Sequence, residues 1–317
     1  MSTTTPGSGG APPPRPPSHG PRARRPAPTE QPNERPTGQL EVLDELLDDG
    51  RQDDFVGGRD LTHWPTAAGR ALHAAAVRAR RWLAPREVWA LTLVVGLVVT
   101  AAFTAAAAGV YDAVVEGDGV TGLDQPALQL ALQHRSPGLD TAVTFYTDIG
   151  GPVGMPLLAA ATAAALAIAW RRWTPVTLLV TTMLGSLALT MAGKASVGRA
   201  RPPLADAVPP YEHSFSFPSG HTLNATAFAG IVAYLLLRRL RAAWARRLVV
   251  VVAVLFAVTI GLSRIFLGHH WFTDVLVAWV LGLAWLGVVI TGHRLYLTLR
   301  RGQHSAGGGS GGGPRDR

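Results

Sequence analysis

Long apolar runs separated by short polar stretches dominate the chain from residue 88 onward. The runs cover residues 88–110, 153–170, 175–192, 221–237, 248–264 and 272–291. Uninterrupted runs of this length, nearly free of charged residues, are typical of membrane-spanning helices and not of the amphipathic helices of a water-soluble domain. The pattern therefore predicts an all-α fold in which residues 88–292 form a bundle of six transmembrane helices.

The segments that flank the predicted bundle differ from it in composition. Residues 1–38 are rich in proline and glycine and predict a disordered tail, because they offer little apolar surface to bury. Residues 39–87 predict a cytoplasmic segment with a short acidic helix at 39–50 and a basic helix at 66–86. The basic helix either lies at the membrane interface or simply flanks the first span. Residues 293–317 predict a flexible C-terminal tail.

The arginines fall between the apolar runs in a regular way. Clusters occur before the first run, between the second and third, between the fourth and fifth, and after the sixth. If six helices are threaded, all four clusters lie on one side of the membrane, and the positive-inside rule makes that side the cytoplasm. Both termini are then cytoplasmic, and residues 111–152, 193–220 and 265–271 lie on the extracytoplasmic side.

Composition supports a multi-pass protein of the cell membrane. Hydrophobic residues make up 48% of the chain and charged residues 16%. The net charge of +8 comes with arginines that flank apolar runs, so it indicates contact with the lipid surface and no nucleic-acid partner. The absence of cysteine excludes disulfides and thiolate metal sites. The sequence leaves the oligomeric state open.

Six ionisable residues gather in the last two outer segments and the helix ends beside them. They are Lys194, Arg201, His221, Arg264, His270 and Asp274. A single ionisable residue at the margin of a membrane helix is commonly an interfacial residue that extends its charge to water. Six together indicate a functional site, because ionisable groups at such positions are costly unless they have partners.

Three of these residues are cations that predict an anionic ligand. Lys194, Arg201 and Arg264 lie on different segments, with no outer carboxylate at a matching spacing to neutralise them. Arginine offers a planar fork and lysine a point charge, so a phosphoryl group held from several directions uses both. Ser219 and Gly220 directly precede the fourth helix, whose N-terminal N–H groups favour an anion, although Ser219 taken alone is better explained as a plain helix cap.

The remaining residues form a candidate reactive group. His270 and Asp274 are four residues apart and share a helix face, so the carboxylate is positioned to hold one imidazole nitrogen and leave the other as a nucleophile. His221 is placed to protonate a departing oxygen. His269 points about 100° away around the helix and is not expected to be equivalent. A His/Asp metal site is the alternative, but such sites recruit more carboxylates and have no use for three cations.

The order and spacing of these residues resemble a known signature. Residues 194–202 fit K-x6-R-P, residues 218–221 fit P-S-G-H, and residues 263–274 fit S-R-x5-H-x3-D. This three-part pattern is similar to that of the type-2 phosphatidic acid phosphatase superfamily. The resemblance implies that His270 attacks phosphorus to form a phosphohistidine, that Asp274 orients it, and that His221 serves as acid and then activates water. The implied phosphate ligands are Lys194, Arg201, Ser219, Gly220 and Arg264. No metal or other cofactor is implied.

The resemblance implies a phosphatase that acts on a lipid phosphate or lipid diphosphate in the bilayer. The motifs lie between predicted membrane helices, and the last three apolar runs are expected to be shorter than the ~30 Å hydrocarbon core, which would put the site near the lipid headgroups. Candidate substrates are phosphatidic acid, phosphatidylglycerophosphate and undecaprenyl diphosphate. A lipid headgroup phosphotransferase of the same fold is the alternative. A transporter with a degenerate site is disfavoured because every motif position is intact.

Overall fold

Helices make up nearly all of the described structure. A computed structural model describes residues 55–56, 59–79, 82, 84, 86–98 and 120–307. Within these residues the only strands are β1 (Phe55–Val56) and β2 (Arg59–Asp60), which pair antiparallel. The all-α prediction is confirmed for the body of the protein. The predicted tail at 1–38 and the predicted acidic helix at 39–50 lie outside the described residues.

Two helices precede the main bundle. α1 (Ala67–Ala79) corresponds to the predicted basic helix, and the Thr66 hydroxyl accepts a hydrogen bond from the Gly69 N–H at 3.0 Å near its start. α2 comprises residues 86–98 and is the first half of the predicted first span. Residues 99–119 lie outside the described part, so this span remains a prediction. Apolar side chains of α1 and α2 pack against Leu295 and Leu299 near the end of the chain's last helix.

The segment at 111–152 was predicted as an outer loop, but its described part is helical. α3 (Asp124–Gln133) and α4 (Pro137–Thr147) are joined by a short turn, and single 3₁₀ turns precede α3 and follow α4. The Ser136 side chain caps α4 by accepting from the Leu139 N–H at 3.4 Å. These helices have only 10 and 11 residues, so they contain no long apolar run by which the sequence could reveal them.

The remaining helices form the membrane bundle. They are α5 (Gly154–Trp170), α6 (Thr174–Val197), α7 (Gly220–Arg239), α8 (Ala243–Phe266) and α9 (Phe272–Gly307). In the part of the chain that the structure describes, α6 to α9 are each long and apolar enough to cross a membrane. The segments Pro137–Gly150 and Gly154–Trp170 qualify together as a fifth, bent span with a 53° angle. The prediction of six spans with both termini cytoplasmic therefore remains a prediction.

Two details of the predicted boundaries are wrong. α7 has 20 residues and α8 has 24, which correspond to about 30 Å and about 36 Å at 1.5 Å per residue, so neither is shorter than the hydrocarbon core. Their polar ends continue the helix beyond the apolar run. α9 continues to Gly307, whereas a flexible tail was expected from residue 293.

The helix α7 lies at the centre of the bundle. It packs against α6, α8 and α9, and its side chains Leu223, Ile231 and Leu235 are fully buried. The indole of Trp285 on α9 fits against Gly185 of α6, where an added Cβ would lie 2.0 Å from the ring. This close packing holds α6 and α9 beside each other in the bundle.

Candidate active site

The predicted site residues meet where these helix ends converge. Lys194 lies in the last turn of α6, His221 in the first turn of α7, Arg264 in the last turn of α8, and Asp274 in the first turn of α9. The connecting segment of residues 198–219, called the outer loop after its predicted side of the membrane, carries Arg201. Four helix ends and one connecting segment therefore contribute to one site.

Several contacts hold the outer loop against the helix ends. Gly198 ends α6 with a φ of 60°, a conformation that favours glycine. The Val208 N–H donates to the Leu267 carbonyl at 2.9 Å. Arg135, in the turn between α3 and α4, donates to the Phe266 carbonyl at 2.8 Å and to the Asp206 carbonyl at 2.6 Å, so this turn ties the loop to the end of α8.

The imidazole of His270 lies between a carboxylate and a guanidinium. Its Nδ1 faces the Asp274 Oδ2 at 3.5 Å, and its Nε2 lies 3.2 Å from the Arg201 Nη1. These partners favour the tautomer with a proton on Nδ1 and a lone pair on Nε2. Burial, assisted by the charge of Arg201 and opposed by Asp274, lowers the pKa of His270 to about 4, so the ring is neutral at neutral pH.

The adjacent histidine has a different environment. The His269 Nε2 donates to the Val208 carbonyl at 2.7 Å, and its Nδ1 accepts from Arg264. Burial and then the charge of Arg264 lower the pKa of His269 to about 4. Because both ring nitrogens are engaged in hydrogen bonds, His269 holds the outer loop and its environment differs from that of His270. The predicted 100° offset around a helix does not apply, since α9 begins only at Phe272.

The three predicted phosphate-binding cations are linked by shared hydrogen-bond partners. Lys194 Nζ donates to the Ser214 hydroxyl at 3.2 Å and to the Phe215 carbonyl. Arg201 Nε donates to the Ser214 carbonyl at 2.7 Å. Arg264 Nη1 donates to the Thr147 hydroxyl at 3.3 Å. Burial lowers the pKa of Arg201, which is consistent with a guanidinium largely removed from water.

A carboxylate occupies the space between two of these cations. Glu212 Oε2 lies 2.7 Å from Arg201 Nη2, and its Oε1 bonds Arg264 and lies 4.0 Å from the His221 Nδ1. Burial raises the pKa of Glu212, but the surrounding charges, Arg264 first, lower it to about 2, so it is ionised. The expectation that no outer carboxylate neutralises the cations is therefore wrong. No regular spacing relates Glu212 to the cations, and only the fold of the outer loop brings them together.

The two residues before His221 are less free than expected. The Ser219 N–H donates to the Asp274 carbonyl at 3.3 Å, and its hydroxyl accepts from Thr222 at 2.9 Å, so the side chain does not cap α7. Gly220 begins the helix. A role for either residue in phosphate binding stays a prediction. His221 itself packs against the glycine turn before α5, where a Cβ on Gly151 would lie 3.2 Å from its Nε2.

Other polar residues of the site were not found from the sequence. Ser216 donates to Asp274 Oδ2, and Arg199 Nη1 donates to Asp274 Oδ1 at 2.6 Å. Arg199 also bonds Asp124, the first residue of α3, at 2.6 Å. Arg199 lies inside the K-x6-R-P segment, which is the signal that could have revealed it. Asp124 lies in a segment that was interpreted as a loop.

Comparison with known proteins bears directly on this geometry. The PAP2 superfamily matches residues 175–296. Phosphatidylglycerophosphatase B of Bacillus subtilis (strain 168) is 31% identical over 172 residues, which are 54% of this chain and 83% of the relative. The chain belongs to the PAP2 superfamily. The match confirms the family inferred from the three motifs. The chain is therefore a member of a lipid phosphatase family, and it has several apolar helices long enough to cross a membrane.

Solved structures resemble this PAP2 chain as well. The crystal structure described as the first transmembrane PAP2 type phosphatidylglycerolphosphate phosphatase, from Bacillus subtilis, has a TM-score of 0.52 at 29% identity, covering 62% of this chain and 92% of that one. The crystal structure of Aquifex aeolicus LpxE has a TM-score of 0.42 at 22% identity, covering 53% of this chain and 94% of that one. All eight site residues predicted from the sequence lie within residues 175–296, whereas Asp124 and Arg135 lie outside.

Proposed function

We propose that this PAP2 protein hydrolyses a phosphate monoester of a membrane lipid through a phosphohistidine intermediate. The observation that carries the proposal is the position of the Glu212 carboxylate. It is bound by Arg201 and Arg264 and lies 4.0 Å from the His221 imidazole. A site that holds a carboxylate in this way is suited to a phosphoryl group, whose oxygens accept the same charge-assisted hydrogen bonds.

In the first step His270 Nε2 attacks phosphorus. A P–N bond forms, the bond from phosphorus to the lipid oxygen breaks, and His221 gives its proton to that departing oxygen. Asp274 stabilises the positive charge that develops on the His270 ring. Lys194, Arg201 and Arg264 stabilise the equatorial oxygens, where negative charge is concentrated in the transition state.

In the second step a water molecule replaces the histidine. The neutral His221 takes a proton from water, the oxygen of that water bonds phosphorus, and the P–N bond breaks. Inorganic phosphate leaves, and both histidines regain their starting protonation states. The two steps need no oxidant, reductant or metal, since the three cations supply the electrostatic stabilisation that a divalent ion would otherwise give.

Phosphatidylglycerophosphate is the substrate that we favour among lipid phosphates. The named relative at 31% identity is a phosphatidylglycerophosphatase. The site lies at the N-terminal end of α7 and the C-terminal end of α8, whereas the arginines of the α7–α8 turn lie at the opposite ends of both helices. With that turn in the cytoplasm, the site faces the extracytoplasmic side, near the headgroups of the outer leaflet.

Purified protein in lipid micelles tests the proposal. Phosphate release is measured from phosphatidylglycerophosphate, phosphatidic acid and undecaprenyl diphosphate, with His270→Ala as the matched control. We expect free phosphate from phosphatidylglycerophosphate at the highest kcat/KM. Transfer of the phosphoryl group or headgroup to a second lipid without free phosphate would instead establish the phosphotransferase. No reaction with any of the three lipids would contradict both.

A further inference from the structure

A second charged cluster lies on the far side of Asp274 from the His270 ring, and its members Arg199 and Asp124 have no role in the proposed chemistry. The guanidinium of Arg199 lies between two carboxylates, with Nη1 2.6 Å from Asp274 Oδ1 and Nη2 2.6 Å from Asp124 Oδ2. The side chains of Asp124 and Asp274 are 6% and 0% exposed, and that of Arg199 is 15% exposed. Because both carboxylates are buried and lie this close to one guanidinium, the three groups form a buried ion-pair network and not a surface ion pair.

The bond from Arg199 determines which oxygen of Asp274 faces the histidine. Oδ1 is taken by Arg199, while Oδ2 accepts from the Trp271 N–H at 2.9 Å and from Ser216 and faces His270 Nδ1. With both oxygens engaged, the carboxylate cannot rotate without breaking a charge-assisted bond. Arg199 thereby holds the group that orients the His270 ring.

Asp124 anchors this arrangement to the first turn of α9. Its Oδ1 accepts from the Thr273 N–H at 2.8 Å, and the Thr273 hydroxyl lies 2.9 Å from Oδ2. The same hydroxyl accepts from Arg199 Nη1 at 2.8 Å. An aspartate beside a helix N-terminus is also favoured by the helix dipole. Asp124 thus joins α3, the outer loop and the helix that carries Asp274.

Arg199 stays protonated and positively charged in this environment. Burial lowers the pKa of Arg199, but Asp274 and Asp124 raise it above the ordinary value for arginine. The guanidinium also lies over the Trp271 ring at 5.5 Å from its centroid, and the Trp271 indole donates to the Ala200 carbonyl at 2.9 Å. The indole therefore covers the ion pairs and fixes the backbone next to Arg199.

We propose that Arg199 and Asp124 are positioning residues for the Asp274–His270 pair, and that they act on the chemical step and not on phosphate binding. Their partners lie on the far side of Asp274 from the imidazole, whereas Arg201, two residues along, bonds Glu212 and contacts His270 Nε2. The inference rests on the proposed phosphatase activity, but it concerns how the nucleophile is held and not which lipid is used.

Steady-state kinetics separate the two arginines. Groups that orient a metal-bound histidine from the outer shell typically contribute about 10–100-fold to activity, and we expect a similar contribution from groups that orient a nucleophilic histidine. We expect Arg199→Met to lower kcat by this factor while KM and inhibition by vanadate change less than about twofold, and we expect Arg201→Met to raise KM and weaken vanadate inhibition. Arg199→Lys should give an intermediate kcat, because an ammonium cannot bridge two carboxylates as a fork does. A parallel rise in KM and vanadate constant for Arg199→Met would make it a phosphate ligand and overturn the inference.

The contribution of Asp124 is tested by combining Asp124→Asn with Arg199→Met. Asp124→Asn keeps an acceptor for the Thr273 N–H, but it removes the charge and replaces the oxygen that accepts from Arg199 with an NH2 group. We expect it to lower kcat in the wild-type background and to have little further effect in Arg199→Met, because the two residues act as one unit. Asp206→Asn, on the outer loop, is the matched control and should leave kcat unchanged. Additive effects of Asp124→Asn and Arg199→Met would contradict a shared role.

A spectroscopic measurement that needs no catalytic turnover tests the positioning role of Arg199 independently of the proposed function. In 15N spectra of histidine-labelled protein at neutral pH, with His270→Ala for assignment, His270 should show one neutral tautomer with a protonated Nδ1. Arg199→Met should give mixed or exchange-broadened His270 signals while His269, held by Val208 and Arg264, stays unchanged. An unaltered His270 spectrum in Arg199→Met would overturn the positioning role even if the wild-type protein hydrolyses no lipid phosphate. If the wild-type protein were inactive but Arg199→Met still altered the His270 signals, only the proposed function would be refuted.

Discussion

The two sides of His270 are built differently. On the front side lie three cations, two of which, Arg201 and Arg264, bond the carboxylate of Glu212, whose side chain is 29% exposed. On the back side, one guanidinium lies between Asp124 and Asp274, whose side chains are nearly fully buried. The front carries surplus positive charge and a partly exposed anion, while on the back two nearly fully buried carboxylates bond one guanidinium. The front is therefore suited to exchanging an anion and the back to holding a geometry.

Because of this difference, we expect substitutions on the front and on the back to change different kinetic constants. A group that contacts the exchanged anion affects binding in the ground state and the transition state, so both KM and kcat/KM respond. A group behind the histidine affects kcat. The two sides share His270, so a change at this residue should affect the reaction most.

Replacing His270 should have the largest effect. His270→Ala removes the proposed nucleophile, and we expect phosphate release to fall by about 10⁴-fold or more, as when the nucleophile of a covalent mechanism is deleted. The double variant with Asp274→Ala should be little worse, since the pair acts as a unit. Both are measured as kcat, with thermal unfolding in detergent to verify the fold. Turnover near the wild-type level in His270→Ala would exclude the phosphohistidine mechanism.

The sequence predicted the long helices and the front of the site better than the back. Apolar runs reveal helices such as α6 to α9 because burial in lipid requires them to be continuous. Motif spacing identified the residues at the helix ends, such as Lys194 and Asp274. Glu212 and Asp124 could not be found in this way, because they reach the site from an irregular loop and from a helix of 10 residues. Their contacts depend on tertiary folding over 52 and 75 residues of sequence separation.

Changing the type of cation on the front should have the next largest effect. Lys194→Arg keeps the charge, but a planar fork on a different stem cannot occupy the position from which Lys194 contacts Ser214 and Phe215. We expect kcat/KM to fall about 10–100-fold, mostly through KM. Arg241→Lys, in the turn between α7 and α8, is the matched control and should be silent. Full activity in Lys194→Arg would mean that the charge alone matters at this position.

Acidification should separate the neutral nucleophile from its charged form. The pKa of His270 is lowered to about 4, so the ring stays neutral from neutral pH down to about pH 5 and is protonated as the pH falls through 4. A protonated ring cannot attack phosphorus, so kcat/KM at pH 3 should be about tenfold below its plateau. The loss must be reversible on return to pH 7, with the fold monitored at each pH. An acid limb near pH 6.5 would show that the buried environment does not lower the pKa of His270 in the free enzyme.

Neutralising Glu212 should have the smallest effect, and its direction is the most informative. The ionised carboxylate bonds Arg201 and Arg264, the same groups that the proposed phosphate would need, so substrate must displace it. Glu212→Gln keeps the size and removes the charge, and the competing attraction weakens with it. We expect KM and the vanadate inhibition constant to fall about 3–5-fold, with kcat nearly unchanged. Asp206→Asn removes a charge from the same loop away from these arginines and should change neither constant. If Glu212→Gln instead weakened vanadate inhibition, the carboxylate would be organising the arginines for the phosphate and not competing with it, and the front would hold geometry as firmly as the back.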